Sequence, residues 1–159
     1  EMNTRIQVEH PVTEMITGVD LVREMLRIAG GEPLRYTQDQ IRLNGHAIEV
    51  RICAEDPAQG FKPGPGTVTS LTVPGGAGVR FDTMLYAGYT VPPFYDSLLG
   101  KLIVHGATRE VAVRLLQSAL ATLTIEGVPT TTGLHRRIAA DPRFAIGGVD
   151  TGFLTGLPA

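Results

Sequence analysis

The sequence has a single cysteine, Cys53, among its 159 residues, so no internal disulfide can staple the chain. It has no run of eighteen apolar residues and no secretory signal pattern, which argues against a membrane-spanning helix and makes a reducing cytoplasm the expected compartment. It also has little net charge: 14 basic against 16 acidic residues leave −2, with a pI near 6.1. Neither nucleic acid nor an anionic membrane is an expected partner. Its four histidines show no metal-ligand spacing, so they are read as structural and no zinc site is expected. Gly64-Pro65-Gly66 and Gly75-Gly76-Ala77-Gly78 complete neither a dinucleotide fingerprint nor a P-loop and are read as turns. Ser97 lacks the G-x-S-x-G elbow, and Cys53 has no histidine base paired with it in sequence, so a packed thiol is its simpler reading. There are no repeats and no initiator methionine. Position 1 is therefore read as an internal point of a longer protein.

What is present is ordinary globular material, 43% hydrophobic and 19% charged, long enough to bury a core without staples. Residues 1–10, EMNTRIQVEH, alternate strictly and read as a half-buried strand that Pro11 ends. Asp20 to Ile28 carries apolar residues at helical spacing, stopped by Gly30-Gly31. Asn44-Gly45 reads as the turn of a hairpin between a short strand, Ile41 to Leu43, and a longer one, His46 to Glu55. In the longer strand Ile48, Val50, Ile52 and Ala54 form an apolar face, and Glu49, Arg51, Cys53 and Glu55 a polar one. Further strands are expected at Thr67 to Val73, Gly78 to Asp82 and Lys101 to His105, with helices at Thr108 to Leu123 and Gly133 to Ala140. The expected fold is α+β, a mostly antiparallel sheet with about three helices.

The first ten residues carry the strongest chemical signal. Their outward row is carboxylate, amide, guanidinium, amide, carboxylate: Glu1, Asn3, Arg5, Gln7, Glu9. At about 3.3 Å per residue this row would cover roughly 26 Å. Glu1 and Asn3 offer hard oxygen ligands suited to Mg²⁺, Arg5 suits a developing negative charge, and Glu9 could act as a base. A charge-laced edge strand accounts for the same pattern equally well.

Three segments then resemble the signatures of biotin carboxylases, the ATP-grasp component of acetyl-CoA, propionyl-CoA and pyruvate carboxylases. They are Glu1 to Glu14 (EMNTRIQVEHPVTE), Gly45 to Pro57 (GHAIEVRICAEDP) and Tyr86 to Leu102 (YAGYTVPPFYDSLLGKL). The E-x-N-x-R element alone is shared with carbamoyl-phosphate synthetases; the QVEH after it and the two later motifs are the specific part.

The resemblance implies a division into the C-terminal end of an ATP-grasp domain (1–36), contributing its last strand and helix, and a biotin carboxylase C-terminal domain (37–159). It implies that Glu1 and Asn3 ligate Mg²⁺ or Mn²⁺, and that Arg5, Gln7 and Val8 hold bicarbonate. Glu9 would be the general base and Arg51 the group that stabilises the biotin enolate, a task suited to a guanidinium's permanent charge and planar fork. Implied cofactors are ATP, the metal ion and biotin on a carrier protein. Implied partners are that carrier and a carboxyltransferase subunit or domain, with a homodimer expected and no nucleic acid or membrane. The Gly-rich lid and the ATP-binding lysines expected of the family are absent from the sequence, as is a biotinylation motif. The 159-residue chain by itself is expected to show no ATP-dependent carboxylation. The rival readings are another ATP-grasp ligase and a non-catalytic dimerisation module.

Overall fold

A computed structural model describes residues 2–157 of the chain. It opens with helices α1 (His10–Thr17) and α2 (Leu21–Ala29), followed by strands β1 (His46–Cys53), β2 (Glu55–Asp56), β3 (Lys62–Pro63), β4 (Gly66–Thr67), β5 (Ser70–Thr72), β6 (Val79–Thr83), β7 (Thr90–Val91) and β8 (Leu98–Gly106). Helix α3 (Arg109–Thr122), strand β9 (Thr124–Glu126) and helices α4 (Thr132–Ala140) and α5 (Pro142–Ile146) complete the order.

The central sheet is antiparallel, in the order β1-β8-β6. Its pairing sets Arg51 opposite Lys101, and Lys101 opposite Asp82 on the far strand. Because side chains alternate along each strand, one face of this sheet is apolar and the other ionic. On the apolar face Ile52, Leu102 and Val104 pack against Ala112, Leu116, Ala119, Leu120 and Leu123 of the α3 region, with Ala139 of α4. A second cluster, Ala54, Val68, Leu85, Val91, Leu99 and Val128, sits under the short strands. Helix α3 starts where the Thr108 side chain accepts a hydrogen bond from Val111 N, the usual way a helix N-terminus is satisfied.

The α+β class, the long strands and three helices agree with the sequence reading; two further helices, α1 and α5, do not follow from it. Two expectations are corrected. Residues 2–9 form no strand: Met2 is 87% exposed, and the segment turns through His10 N→Gln7 O and Val12 N→Glu9 O directly into α1. A strand is defined by a ladder, and among the described residues nothing pairs with this one. Pro11 sits in the first turn of α1, where its missing N–H costs nothing, so it begins a helix where alternation implied that it ended a strand.

The hairpin at Asn44-Gly45 is also absent. Ile41–Leu43 is not a strand, Leu43 is exposed, and β1 takes its partner from β8, more than forty residues on. Gly45, at φ +70°, lies so close to the end of β8 that a Cβ would stand 2.4 Å from Gly106 O. The Asn-Gly pair thus serves a close approach of backbones, which looks the same in sequence as a hairpin turn.

Candidate active site

The ionic face of the sheet is covered by the residue 5–9 segment and α1. Arg51, on β1, donates from Nη2 to Glu9 Oε2 at 2.9 Å; the two side chains are about half exposed, at 53% and 51%. Lys101, on β8, donates from Nζ to Val8 O at 3.1 Å and stands 3.8 Å from Asp82 Oδ2. Arg80, on β6, grips both oxygens of Asp82 at 2.7 Å and reaches Glu14 Oε2 on α1, also at 2.7 Å. A chain of alternating charge therefore joins helix to sheet, and it fixes the carbonyl of Val8 and the carboxylate of Glu9 over β1.

Arg51 is held from behind as well. β1 is an edge strand, and its outer edge is closed by side chains from the start of α4. Thr131 Oγ1 donates to Arg51 O at 3.2 Å and accepts from Cys53 N at 3.0 Å, while Thr131 N donates to Cys53 O. His135 Nε2 lies 2.8 Å from Arg51 O and donates as the Nε2–H tautomer. Burial holds the His135 imidazole below its usual range, which keeps it neutral. Sequence reading assigned none of this to Thr131 or His135.

Arg5, Gln7 and Glu9 line one shallow cleft of about 230 Å³ with Ile6, His10 and Thr13. Arg5 donates to Ile6 O, and the Gln7 carbonyl accepts from the main chain and ring of His10. The structure thus brings Glu9 and Arg51 into contact, sets Arg5 and Gln7 beside Glu9, and turns Val8's carbonyl to Lys101. Asn3 lies exposed and apart from this cleft, and Glu1 falls outside the described residues. Mg²⁺ takes near-octahedral oxygen coordination, and among the described residues no group of three His, Cys, Asp or Glu side chains could hold a metal ion. The described donors do not by themselves make a metal site.

Two carboxyls of this face are shifted in opposite directions. A hydrogen bond from its own backbone N–H, helped by the Arg51 guanidinium and opposed by partial desolvation, holds the Glu9 carboxyl below its usual range. Glu9 is therefore ionised at neutral pH, as its pairing with Arg51 requires. Between Arg51 and Lys101, burial pushes the Glu49 carboxyl up to about 7. Glu49 was legible as part of the polar row of β1 but carried no role. Lys101 gave a signal too, the one charge in the run LLGKLIVHG.

The geometry sets a carboxylate beside a guanidinium on the ionic face of an α+β domain. Residues 49–156 match the biotin carboxylase C-terminal domain family, and residues 1–37 the ATP-binding domain of the carbamoyl-phosphate synthase L chain. The chain belongs to the biotin carboxylase family. It is 57% identical to the biotin carboxylase of Nostoc sp. over 97% of this chain and 34% of that protein. It is 52% identical to a pyruvate carboxylase subunit of Methanothermobacter thermautotrophicus, over 97% of this chain and 31% of the other. The biotin carboxylase domain dimer of Hydrogenobacter thermophilus 2-oxoglutarate carboxylase, solved with MgADP, ADP and bicarbonate, superimposes with a TM-score of 0.95. That pair shares 54% identity over 98% of this chain and 34% of that one. The chain thus spans about a third of the length of the relatives it matches. Among the described residues no helix is long and apolar enough to cross a membrane.

Proposed function

We propose that this chain forms part of an ATP-dependent ligase that carboxylates biotin on a carrier protein, with bicarbonate as the carbon source. The observation that carries the reading is the 2.9 Å contact between Glu9 and Arg51. These residues lie 42 positions apart, in two separate signature segments, and the reaction needs a base and an enolate-stabilising cation side by side.

In this reading Glu9 takes the proton of bicarbonate, which Arg5, Gln7 and Val8 hold. The bicarbonate oxygen attacks the γ-phosphate of ATP, and the carboxyphosphate formed breaks down to CO₂ and phosphate. Phosphate takes the ureido proton of biotin, and Arg51 stabilises the enolate as it attacks CO₂. Val8 acts through its main chain, whose carbonyl is already fixed by Lys101, so side-chain replacement there should matter less than at Arg5. Glu1 and Asn3 are assigned to Mg²⁺ or Mn²⁺ on the resemblance alone. The division into 1–36 and 37–159 belongs to the same reading, as do a homodimer, a cytoplasmic location, and the carrier and carboxyltransferase partners. So does the inactivity of the 159 residues by themselves. The match of this chain to pyruvate, 2-oxoglutarate and simple biotin carboxylases alike fits a half-reaction common to all of them.

The test is ATP cleavage dependent on bicarbonate and free biotin in the full-length protein, with Glu9→Gln and Arg51→Ala. Loss of one general base should lower kcat by about 10²–10⁴-fold, and loss of Arg51 should abolish the biotin stimulation while ATP still binds. Wild-type ATP cleavage indifferent to biotin would make the protein a different ATP-grasp ligase.

A further inference from the structure

Both carboxyl oxygens of Glu49 are shut off from solvent and have no hydrogen-bond partner. Every cation facing it is already engaged. Arg51, on its own strand, is held by Glu9 at 2.9 Å. Lys101, on β8, is held by Val8 O at 3.1 Å and pairs with Asp82. Arg80, on β6, is held by Asp82 and by Glu14 of α1. His10, the remaining titratable group of α1 at this layer, gives its ring nitrogen to Gln7 O. An ionised carboxylate enclosed without a donor is disfavoured, so with the network in this arrangement Glu49 keeps its proton well above the usual carboxylate range.

The arrangement cannot be the working one throughout. If Glu9 accepts a proton from substrate and Arg51 binds an oxyanion, the 2.9 Å pair between them must open. Protonated Glu9 no longer balances the guanidinium. The next carboxyl on the same strand face is Glu49, two residues from Arg51 and about 6.6 Å along the strand.

Resting on the functional reading above, we propose that Glu49 is a positioning residue for the Glu9–Arg51 pair: below its titration it is neutral while the pair is closed, and it ionises as Arg51 leaves Glu9 and holds the guanidinium over the site with the counter-charge that Glu9 has given up. Its proton passes to solvent through the gap that the opened, half-exposed pair leaves.

The consequence is a pH dependence centred on Glu49 in the step that uses Arg51. Below its titration, opening the pair requires removal of the Glu49 proton; above it, the counter-charge is already in place. In the full-length enzyme the biotin KM should fall about tenfold between about pH 6 and about pH 8, the change in ionised fraction of one group centred near 7. Glu49→Gln should flatten that slope, and Glu49→Asp, which keeps a titratable group, should restore one. A Glu49→Gln profile that follows wild type, or that is displaced by one factor at every pH, overturns the proposal, since a purely structural role gives the second pattern. If Glu49→Gln does not fold, the infrared band of a protonated carboxyl in wild type without substrate decides: it should disappear on titration through neutral pH, and its absence at acid pH overturns the proposal. If wild-type ATP cleavage shows no biotin dependence, the functional reading has failed and this inference with it. If that dependence holds but Glu49→Gln keeps the slope, this inference alone has failed.

Discussion

Arg51 shows how a single side chain is placed by residues far from it in sequence. Its guanidinium is aimed by Glu9, and its main chain by Thr131 and His135, about eighty positions later. Glu9 and Arg51 were legible because each stands in a recognisable motif of its own. Thr131 and His135 were not, because a threonine and a histidine at a helix start carry no signal until the edge of β1 is seen to need closing. Removing the Thr131 hydroxyl leaves Cys53 N without its partner in a partly buried site, and leaves Arg51 O with His135 alone. Thr131→Val should therefore cost about 1–3 kcal/mol, seen as a lower Tm. It should also raise the biotin KM more than it lowers kcat, with Thr131→Ser recovering both. An unchanged biotin KM alongside the lower Tm would separate the fold of β1 from the aim of Arg51.

Helices legible in the sequence are those whose caps and stripes are complete within the element. Asp20 accepts from Arg23 N at 2.8 Å at the start of α2, and Thr108 does the same for α3, so propensity, cap and apolar spacing agree. Asp20→Ala should cost about 1 kcal/mol, read by chemical denaturation; Asp20→Asn should cost a few tenths of that, since the amide oxygen still accepts. Helix α1 was hidden because its eight residues open with His10-Pro11 after an alternating run, and because it meets the ionic sheet face through a charged side chain, Glu14. α5 was hidden for a related reason: Asp141-Pro142 reads as a stop, yet Asp141 accepts from Arg143 N and caps a new five-residue helix. The central sheet was legible strand by strand but not in its pairing. β1 and β8 were both expected, while the register that sets Arg51 against Lys101 depends on contacts fifty residues apart, which period-two alternation cannot encode.

At the scale of the molecule, the sheet separates two kinds of adhesion with opposite responses to pH. Its apolar face, from Ile52 to Leu123, contains no titrating group in its buried core and should be indifferent to acid. Its ionic face is not. The Asp82 carboxyl is held below its usual range chiefly by Arg80, and Glu9 by its own N–H and Arg51. Groups with depressed values stabilise the native state above their unfolded values, about 3.9 for Asp and 4.3 for Glu, and that contribution is lost as pH falls through the lower folded ones. Glu49 runs the other way. Raised to about 7, it contributes below about 4.5, and that contribution is lost as pH rises through neutrality. Docking of α1 on the sheet should therefore be firmest in mildly acid solution, between the two ranges. Hydrogen exchange in the full-length protein would check this: α1 amides should lose protection below about pH 4 while those of α3 keep theirs, and Glu49→Gln should strengthen α1 protection above about pH 7 without altering the acid limb. Loss of α1 and α3 protection together in acid would mean that the two faces unfold as one unit, and that the ionic layer has no separate stability to lose.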